Sequence, residues 1–312
     1  MTIQYLAPFS RAWERMVSAL FRPFDLGKWL TVGFTAFLAE LMGNQGGASG
    51  RFPTGRRIYG DSDLDELFDF PSIAWHWLQD HPDWLMLSIF ALGAIIALVI
   101  VFTWLSSRGK FMFLDNVVHN RSKVTQPWHE FKEQANSLFV WRIGFGLVVF
   151  VTGLLFVIQA FIIAKDIYFR GFELEFLGPI IGMAVLILLV AVVAGYILAF
   201  LNNFVIPIMY KNRIQTNSAW RIFLSFFSKY WGNFVLFGIV LFLLRIAAVI
   251  VVFTAGLLSC CIGLVLIVIP YVGSVILLPI SYTFRGFGPE FLAQFGEQLD
   301  IFPCKMDATA AS

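Results

Sequence analysis

The stretch Trp220–Leu244, WRIFLSFFSKYWGNFVLFGIVLFLL, decides how the chain is organised. Apolar residues in its first half follow the spacing i, i+3, i+4, i+7 and i+11, and they are Trp220, Phe223, Leu224, Phe227 and Trp231. This spacing places them on one face of a helix, opposite charged and hydroxyl side chains. From Gly232 to Leu244 the chain carries no charge. The pattern predicts an amphipathic elbow helix that lies in the membrane interface and leads directly into a membrane span.

The composition is typical of an integral membrane protein. Of the 312 residues, 59% are hydrophobic and only 13% are charged, and the mean hydropathy is +0.78. A soluble domain has about a quarter of its residues charged. The net charge of +2 is small and there is no basic tract or RNA-binding aromatic motif, so the sequence predicts no nucleic-acid partner.

The elbow followed by a span occurs three times along the chain. The first copy has its elbow around Trp13 and the second around Trp128. An Asn-Arg pair stands eight and seven positions before Trp128, and again before Trp220. These features predict repeats at about 8–118, 127–210 and 219–284. The alternative is chance similarity, because short aromatic matches are common in a chain with 10 Trp and 35 Phe.

We therefore predict an all-α membrane protein that forms a single membrane domain over residues 1–312. Its six transmembrane helices are expected to form three hairpins, each preceded by an amphipathic elbow helix. The first four spans are predicted at Asp25–Met42, Trp84–Trp104, Ile143–Ala164 and, within a longer uncharged run, Phe176–Tyr210. The fifth span begins at Gly232, and Pro270 predicts a kink in the sixth.

Lysine and arginine residues predict the orientation in the membrane. With the N-terminus inside, 16 of the 22 fall on cytoplasmic segments, among them the polar stretch Ser106–Gln126, and five fall on outer loops. This distribution predicts a multi-pass protein of the bacterial inner membrane with both termini in the cytoplasm. The insertion 43–83 is then periplasmic and the tail 285–312 cytoplasmic.

The insertion contains an acidic run, Asp61–Asp69. We interpret this run as a solvated loop. A divalent-cation site is the alternative, but the run lacks the glycine and the final glutamate of an EF-hand loop.

Four polar residues inside the apolar runs are the candidate functional residues. Glu40 and Arg245 are predicted to lie at similar depths, and an unpaired charge in hydrocarbon costs at least roughly 2.5 to 3.5 kcal/mol, so we expect them to pair directly or through water. In the alternative, Arg245 reaches outward to the interface and Glu40 ends its helix there. Asn202 and Asn203 either bond neighbouring helices or line a polar path.

Aromatic residues mark the expected membrane boundaries. The predicted interfacial anchors are Trp13, Trp128, Trp220 and Trp231. The stretch SYTFRGFGPEFLAQFGEQ, around Arg285, is expected to form a final interfacial helix that contacts lipid headgroups or a partner.

No catalytic, cofactor-binding or metal-binding motif is found in the sequence. HExxH, GxSxG and phosphate-cradling glycine loops are absent, and the four His residues have no metal-ligand spacing. The three Cys residues form no disulfide framework. The sequence therefore predicts a protein that is not an enzyme and carries no cofactor.

Three segments carry a family resemblance. They are PFDLGKWL at 23–30, NRSKVTQPW at 120–128 and NRIQTNSAW at 212–220, each leading into an apolar stretch. With them the chain resembles the six-span bacterial membrane proteins of the YciC-like family, and it is similar to the membrane portion fused to some glycerophosphodiester phosphodiesterases. The resemblance implies the fold and the location. The phosphodiesterase activity belongs to a separate soluble barrel that this chain does not contain, so it is not implied.

The first functional hypothesis is a non-enzymatic inner-membrane protein that organises lipid or a membrane assembly. Its partners are then membrane lipids, together with a protein partner or further copies of the chain. The alternative is a small transporter or permease with a polar site between the hairpins. An intramembrane enzyme needs convergent acidic or His residues at one depth, which the sequence does not offer.

Overall fold

The computed structural model describes residues 3–41, 75–171, 173–259 and 262–302, and within these ranges the chain is predominantly α-helical. The principal α-helices are α1 Ala7–Leu20, α2 Leu26–Glu40, α3 Pro82–His119, α4 Thr125–Glu130, α5 Lys132–Arg170, α6 Leu177–Phe200, α7 Ile206–Asn212, α8 Thr216–Leu258, α9 Ile262–Val268, α10 Pro270–Ile276 and α11 Leu278–Leu292. A π-helix, Leu201–Val205, joins α6 to α7. The acidic run, most of the insertion 43–83 and the tail beyond Phe302 lie outside the described residues.

Four helical stretches are long and apolar enough to cross a membrane. They are Pro82–His119, Lys132–Arg170, Leu174–Asn212 and Thr216–Leu258. These stretches indicate a membrane protein. The first and sixth predicted spans do not form single helices of this length. Helix α2 has 15 residues and is about 22 Å long, less than the roughly 30 Å of hydrocarbon. The last apolar stretch is divided among α9, α10 and α11, so six crossings stay a prediction.

Two helix breaks lie near the predicted change from elbow to span, at Pro23 and Tyr230, whereas the break at Phe131 lies before the third predicted span, which α5 enters without a break. Pro23 lies between α1 and α2, Phe131 separates α4 from α5 with φ −104° and ψ 23°, and Tyr230 kinks α8 with φ −128° and ψ 31°. Proline has no backbone N–H to donate to a helix hydrogen bond. Gly232 follows the kink at Tyr230, and glycine is a weak helix former. The position of the short helices in the membrane interface stays a prediction.

The chain divides into two compact units. The first comprises Met1–Gly46, Thr103–Ile143 and Val193–Ser312, and the second comprises Gly47–Phe102 and Gly144–Val192. In the described part of the second unit the apolar side chains are largely exposed, with Phe90 at 74%, Phe150 at 67% and Leu188 at 65%. We expect such a surface to face lipid, because soluble monomers rarely expose contiguous apolar patches of this extent.

The core of the first unit is rich in phenylalanine. The ring centroid of Phe204, on the π-helix, lies 4.9 Å from that of Phe237 and 5.1 Å from that of Phe234. The C-terminal helix α11 packs on α1 and contributes Phe287 and Phe291, both with 0% exposure. The expected final interfacial helix therefore does not present these two side chains to lipid or to a partner, and its position at the membrane interface stays a prediction. Clustered aromatic residues suit an interface and a core equally well, and here the helix packing buries them.

The polar stretch after the second predicted span also forms part of this core. Helix α3 continues into it as far as His119, and its side chains from Ser106 to Val118 are buried. Helix α2 runs antiparallel to this section, because Ser106 Oγ donates to the Ala39 carbonyl at 2.9 Å near one end and Lys28 Nζ donates to Asn120 Oδ1 at 2.8 Å near the other. Burial is tolerated because these polar groups are hydrogen-bonded. The first predicted span therefore lies beside the polar half of α3.

Candidate functional site

A polar cavity in the first unit brings together the four candidate residues. Its volume is about 60 Å³. The polar residues that line it are Glu40, Lys110, Asn202, Asn203, Arg245, Ser281 and Arg285, and the rest of the lining is Ala39, Phe113, Gly195, Leu198, Ala199 and Phe284. Sequence reasoning selected Glu40, Arg245 and the two asparagines, but it missed the two further cations and the serine.

Close helix packing positions Glu40 at the cavity. Glu40 is the last residue of α2, and Ser281 on α11 forms a side-chain hydrogen bond to its carboxylate. Gly109 lets α2 approach α3, since a Cβ atom there meets the backbone nitrogen of Ala39 at 2.5 Å. Only glycine fits such an approach without movement of one helix. The residue that follows is Lys110, so the same contact sets both an acidic and a basic group at the cavity.

Lys110 and Arg285 are tied to the π-helix. Lys110 is 6% exposed, and its Nζ donates to the side-chain oxygen of Asn202. Arg285 donates from Nη1 to the Asn202 carbonyl at 3.2 Å and from Nη2 to the Lys110 carbonyl at 2.7 Å. One guanidinium thus joins α11, α3 and the π-helix.

The π-helix has a local cause in the sequence. Pro207 has no backbone N–H, so it cannot donate to the carbonyl of Asn203 four residues earlier. That carbonyl instead faces Gly288, where a Cβ atom comes within 2.4 Å of it. The side chains of Asn202 and Asn203 each donate at 2.8 Å to a carbonyl four residues back, of Leu198 and Ala199. Single π-turns inside α-helices occur frequently at functional sites.

Positive charge exceeds negative charge at the cavity. The carboxylate of Glu40 is within electrostatic range of Lys110, Arg245 and Arg285. Arg142 acts on Lys110 from α5, and its Nη1 donates to Ser106 Oγ at 3.1 Å and to Ser107 Oγ at 3.2 Å. The one lining carboxylate therefore faces three lining cations, with a fourth nearby.

Two of these cations keep an unused donor. The Nε atoms of Arg245 and Arg285 are buried and have no hydrogen-bond partner among the described residues. Ion pairs within 4 Å in the described ranges involve Glu290, Asp115 and Glu130, so the interaction of Glu40 with Arg245 is of longer range. A buried donor without a partner costs about 1–3 kcal/mol, more when it is charged.

A second polar cluster, by contrast, is saturated. Asp115 is 1% exposed and accepts hydrogen bonds from Arg121 Nη2 at 2.8 Å and from Tyr210 Oη at 2.8 Å. His119 Nδ1 lies 3.2 Å from the same carboxylate. These bonds attach the end of α3 to α7, which is a structural role. Nearby, a hydrogen bond from Arg213 lowers the pKa of Glu130 below its ordinary value.

The four predicted anchors fall into two pairs. Trp13 is 48% exposed and Trp231 is 65% exposed. Trp128 and Trp220 are partly buried, Trp128 against Trp104 at 5.7 Å and Trp220 stacked on Trp141 at 5.6 Å between ring centroids. Their location at a membrane interface stays a prediction. The described ranges contain no group of three His, Cys, Asp or Glu side chains able to bind a metal ion.

Comparison with known proteins identifies the family. Residues 5–293 match a family of unknown function, and this range contains every residue that lines the cavity. The chain belongs to DUF7544. No curated protein and no solved structure matches it. No named relative therefore supports the resemblance to the YciC-like proteins, and a function for this DUF7544 chain must be argued from the cavity.

Proposed function

We propose that this DUF7544 protein is a non-enzymatic integral membrane protein of the bacterial inner membrane that organises lipid by holding an anionic headgroup in the cavity. The observation that carries the proposal is the surplus of positive charge around one carboxylate, because Lys110, Arg245 and Arg285 line the cavity together with Glu40. Guanidinium groups bind phosphate and carboxylate through two parallel hydrogen bonds. A group with several oxygen acceptors therefore suits this cavity.

The position of the basic residues along α3 and α5 favours a headgroup over a solute deep in the membrane. In α3 the second predicted span ends at Trp104, and Lys110 follows six residues later, about 9 Å along the helix. In α5 Arg142 directly precedes the apolar run that begins at Ile143. Basic residues at the ends of spans are expected at headgroup height, and basic pockets between such helices bind lipid headgroups.

The size of the cavity fits one phosphate group. A volume of about 60 Å³ holds on the order of four water molecules, because each needs roughly 10–15 Å³. A phosphate group has four oxygens.

The orientation supports access from the cytoplasmic side. With 16 of 22 Lys and Arg residues on segments assigned to the cytoplasm, Lys110 and Arg142 belong to the cytoplasmic boundary. Cytoplasmic termini and the YciC-like resemblance are parts of the same proposal.

Lipid that co-purifies with the protein tests the proposal. We expect mass spectrometry to find anionic lipid bound to the wild-type protein in mild detergent, and several-fold less bound to Arg245→Gln. Arg221→Gln is the matched control, because Arg221 lies on the same helix with an exposed side chain. Equal amounts of anionic lipid on all three proteins contradict the proposal.

A small permease is the second candidate function. The interruption of a long apolar helix by the π-turn at Asn202 and Asn203 favours it, because transporters form their sites at discontinuous helices. Proteoliposomes loaded with labelled phosphate distinguish the two functions. Efflux above that of protein-free vesicles supports a permease, and its absence together with bound lipid supports lipid organisation.

A further inference from the structure

Glu40 lines the cavity although the negative charge of its carboxylate does not favour the binding of an anion. Cations and N–H donors attract every anion, but an ionised carboxylate only accepts hydrogen bonds. Glu40 lies within electrostatic range of Lys110, Arg245 and Arg285, and Ser281 provides its side-chain hydrogen bond. The carboxylate therefore has acceptor capacity that faces the same space as the three cations.

This arrangement distinguishes anions by whether they carry a proton. Sulfate and phosphodiesters have only acceptor oxygens near neutral pH, so the carboxylate repels them. Phosphate monoesters have a second pKa of about 6, the second pKa of inorganic phosphate is higher, and both anions can therefore retain one proton. The retained O–H donates to the carboxylate, while the remaining oxygens accept from the cations. Discrimination by a repulsive group is a general route to specificity.

We infer that Glu40 makes the cavity selective for a phosphate monoester or inorganic phosphate over sulfate and phosphodiesters, an inference that rests on the proposed anion site. The charged groups that face Glu40 are Lys110 from α3, Arg245 from α8 and Arg285 from α11, and Asn202 and Asn203 of the π-helix are uncharged. Glu40 is the one carboxylate among the residues that line the cavity in the described part of the chain.

The substitution Glu40→Gln tests the inference, since glutamine keeps the size of the side chain and adds an N–H donor. Binding of inorganic phosphate and of sulfate to the detergent-purified protein is measured by calorimetry at pH 7 and constant ionic strength. We expect the wild-type protein to prefer phosphate by about 10- to 100-fold, the range of a hydrogen bond to a charged group. In Glu40→Gln this ratio is expected to fall to near one, mainly because sulfate binds more tightly.

Two further variants separate selectivity from folding. Ser281→Ala removes the hydrogen bond but leaves the carboxylate, so it is expected to retain the preference for phosphate. Glu133→Gln removes an exposed carboxylate on α5 and serves as the control for charge alone. A gain of sulfate binding in Glu40→Gln also reports a folded site, which a misfolded protein cannot show.

The binding measurements distinguish a failure of the proposed anion site from a failure of the inferred selectivity. If the wild-type protein binds neither anion, the proposed anion site is wrong. If it binds phosphate and sulfate equally, or if Glu40→Gln keeps the wild-type ratio, the selectivity is wrong although the anion site stands.

Lipid vesicles then identify the source of the phosphate. Protein binding is compared for phosphatidylcholine vesicles that contain phosphatidate, a monoester, or phosphatidylglycerol, a diester. We expect stronger binding to the phosphatidate vesicles than to the phosphatidylglycerol vesicles, and we expect Glu40→Gln to abolish this preference. Binding of inorganic phosphate without any preference for phosphatidate supports the selectivity and contradicts the lipid source. A preference for phosphatidylglycerol in the wild-type protein overturns the selectivity.

Discussion

The contact between α2 and α3 at Gly109 is the most direct test of how the cavity is built. In Gly109→Ala the new Cβ atom meets the Ala39 nitrogen and the Leu38 carbonyl carbon at 2.5 Å each. Both are backbone atoms, so rotation of a side chain cannot relieve the overlap and one helix must shift. Overpacking of this kind costs about 1–3 kcal/mol, and here the upper end applies.

Helix propensity acts in the opposite direction. Alanine is favoured over glycine inside a helix by roughly 0.5–1 kcal/mol, which leaves a net destabilisation of about 2 kcal/mol for Gly109→Ala. Gly93→Ala on the same helix is the matched control, because a Cβ atom there has nothing within 4 Å. It is expected to leave the stability unchanged or to raise it by up to about 1 kcal/mol.

Thermal unfolding in detergent, followed by tryptophan fluorescence, measures the difference. We expect Gly109→Ala to melt several degrees below the wild-type protein and Gly93→Ala at or above it. Because α2 carries Glu40, Gly109→Ala is also expected to weaken anion binding. A Gly109→Ala protein that is as stable as Gly93→Ala refutes the packing argument.

Two further predictions concern the orientation and the contact between Glu130 and Arg213. Single cysteines replacing Ser49 and Ser218 are expected to react differently with an impermeant thiol reagent in intact cells, with labelling at 49 only, and the reverse pattern shows that the topology is inverted. The hydrogen bond from Arg213 lowers the pKa of Glu130, so its stabilising effect is present above the ordinary value of 4.5 and is lost as the pH falls through the lower pKa of the folded protein. The difference in Tm between the wild-type protein and Arg213→Gln should therefore shrink below about pH 4.5, and a constant difference contradicts this linkage.

Half of the cavity could be predicted from the sequence because polar residues are rare in apolar runs. Glu40, Arg245, Asn202 and Asn203 stand out against hydrocarbon-like neighbours, and a buried polar group needs partners. The structure places all four at one cavity. Lys110 and Arg285 give no such signal, because each lies in a segment where charged and polar residues are common.

The sequence likewise predicts some elements of the fold and not others. Long uncharged runs identify α3, α5, α6 and α8 because only a membrane span needs them. The burial of Phe287 and Phe291 could not be predicted in this way, since these aromatic residues suit either a membrane interface or a core. Their burial follows from the contact of α11 with α1, and periodicity along one helix does not identify its partner in the fold.

The packing of α1 on α11 also governs the order in which the molecule can form. Arg15 and Glu290 meet at 2.7 Å across a separation of 275 residues. During synthesis α1 emerges early and must wait for α11, which supplies Ser281 and Arg285, two of the seven polar residues of the cavity. Contacts of such high sequence separation form slowly. The charges of Glu40, Lys110 and Arg245 therefore remain without their full set of neighbours until α11 has left the ribosome and packed against α1.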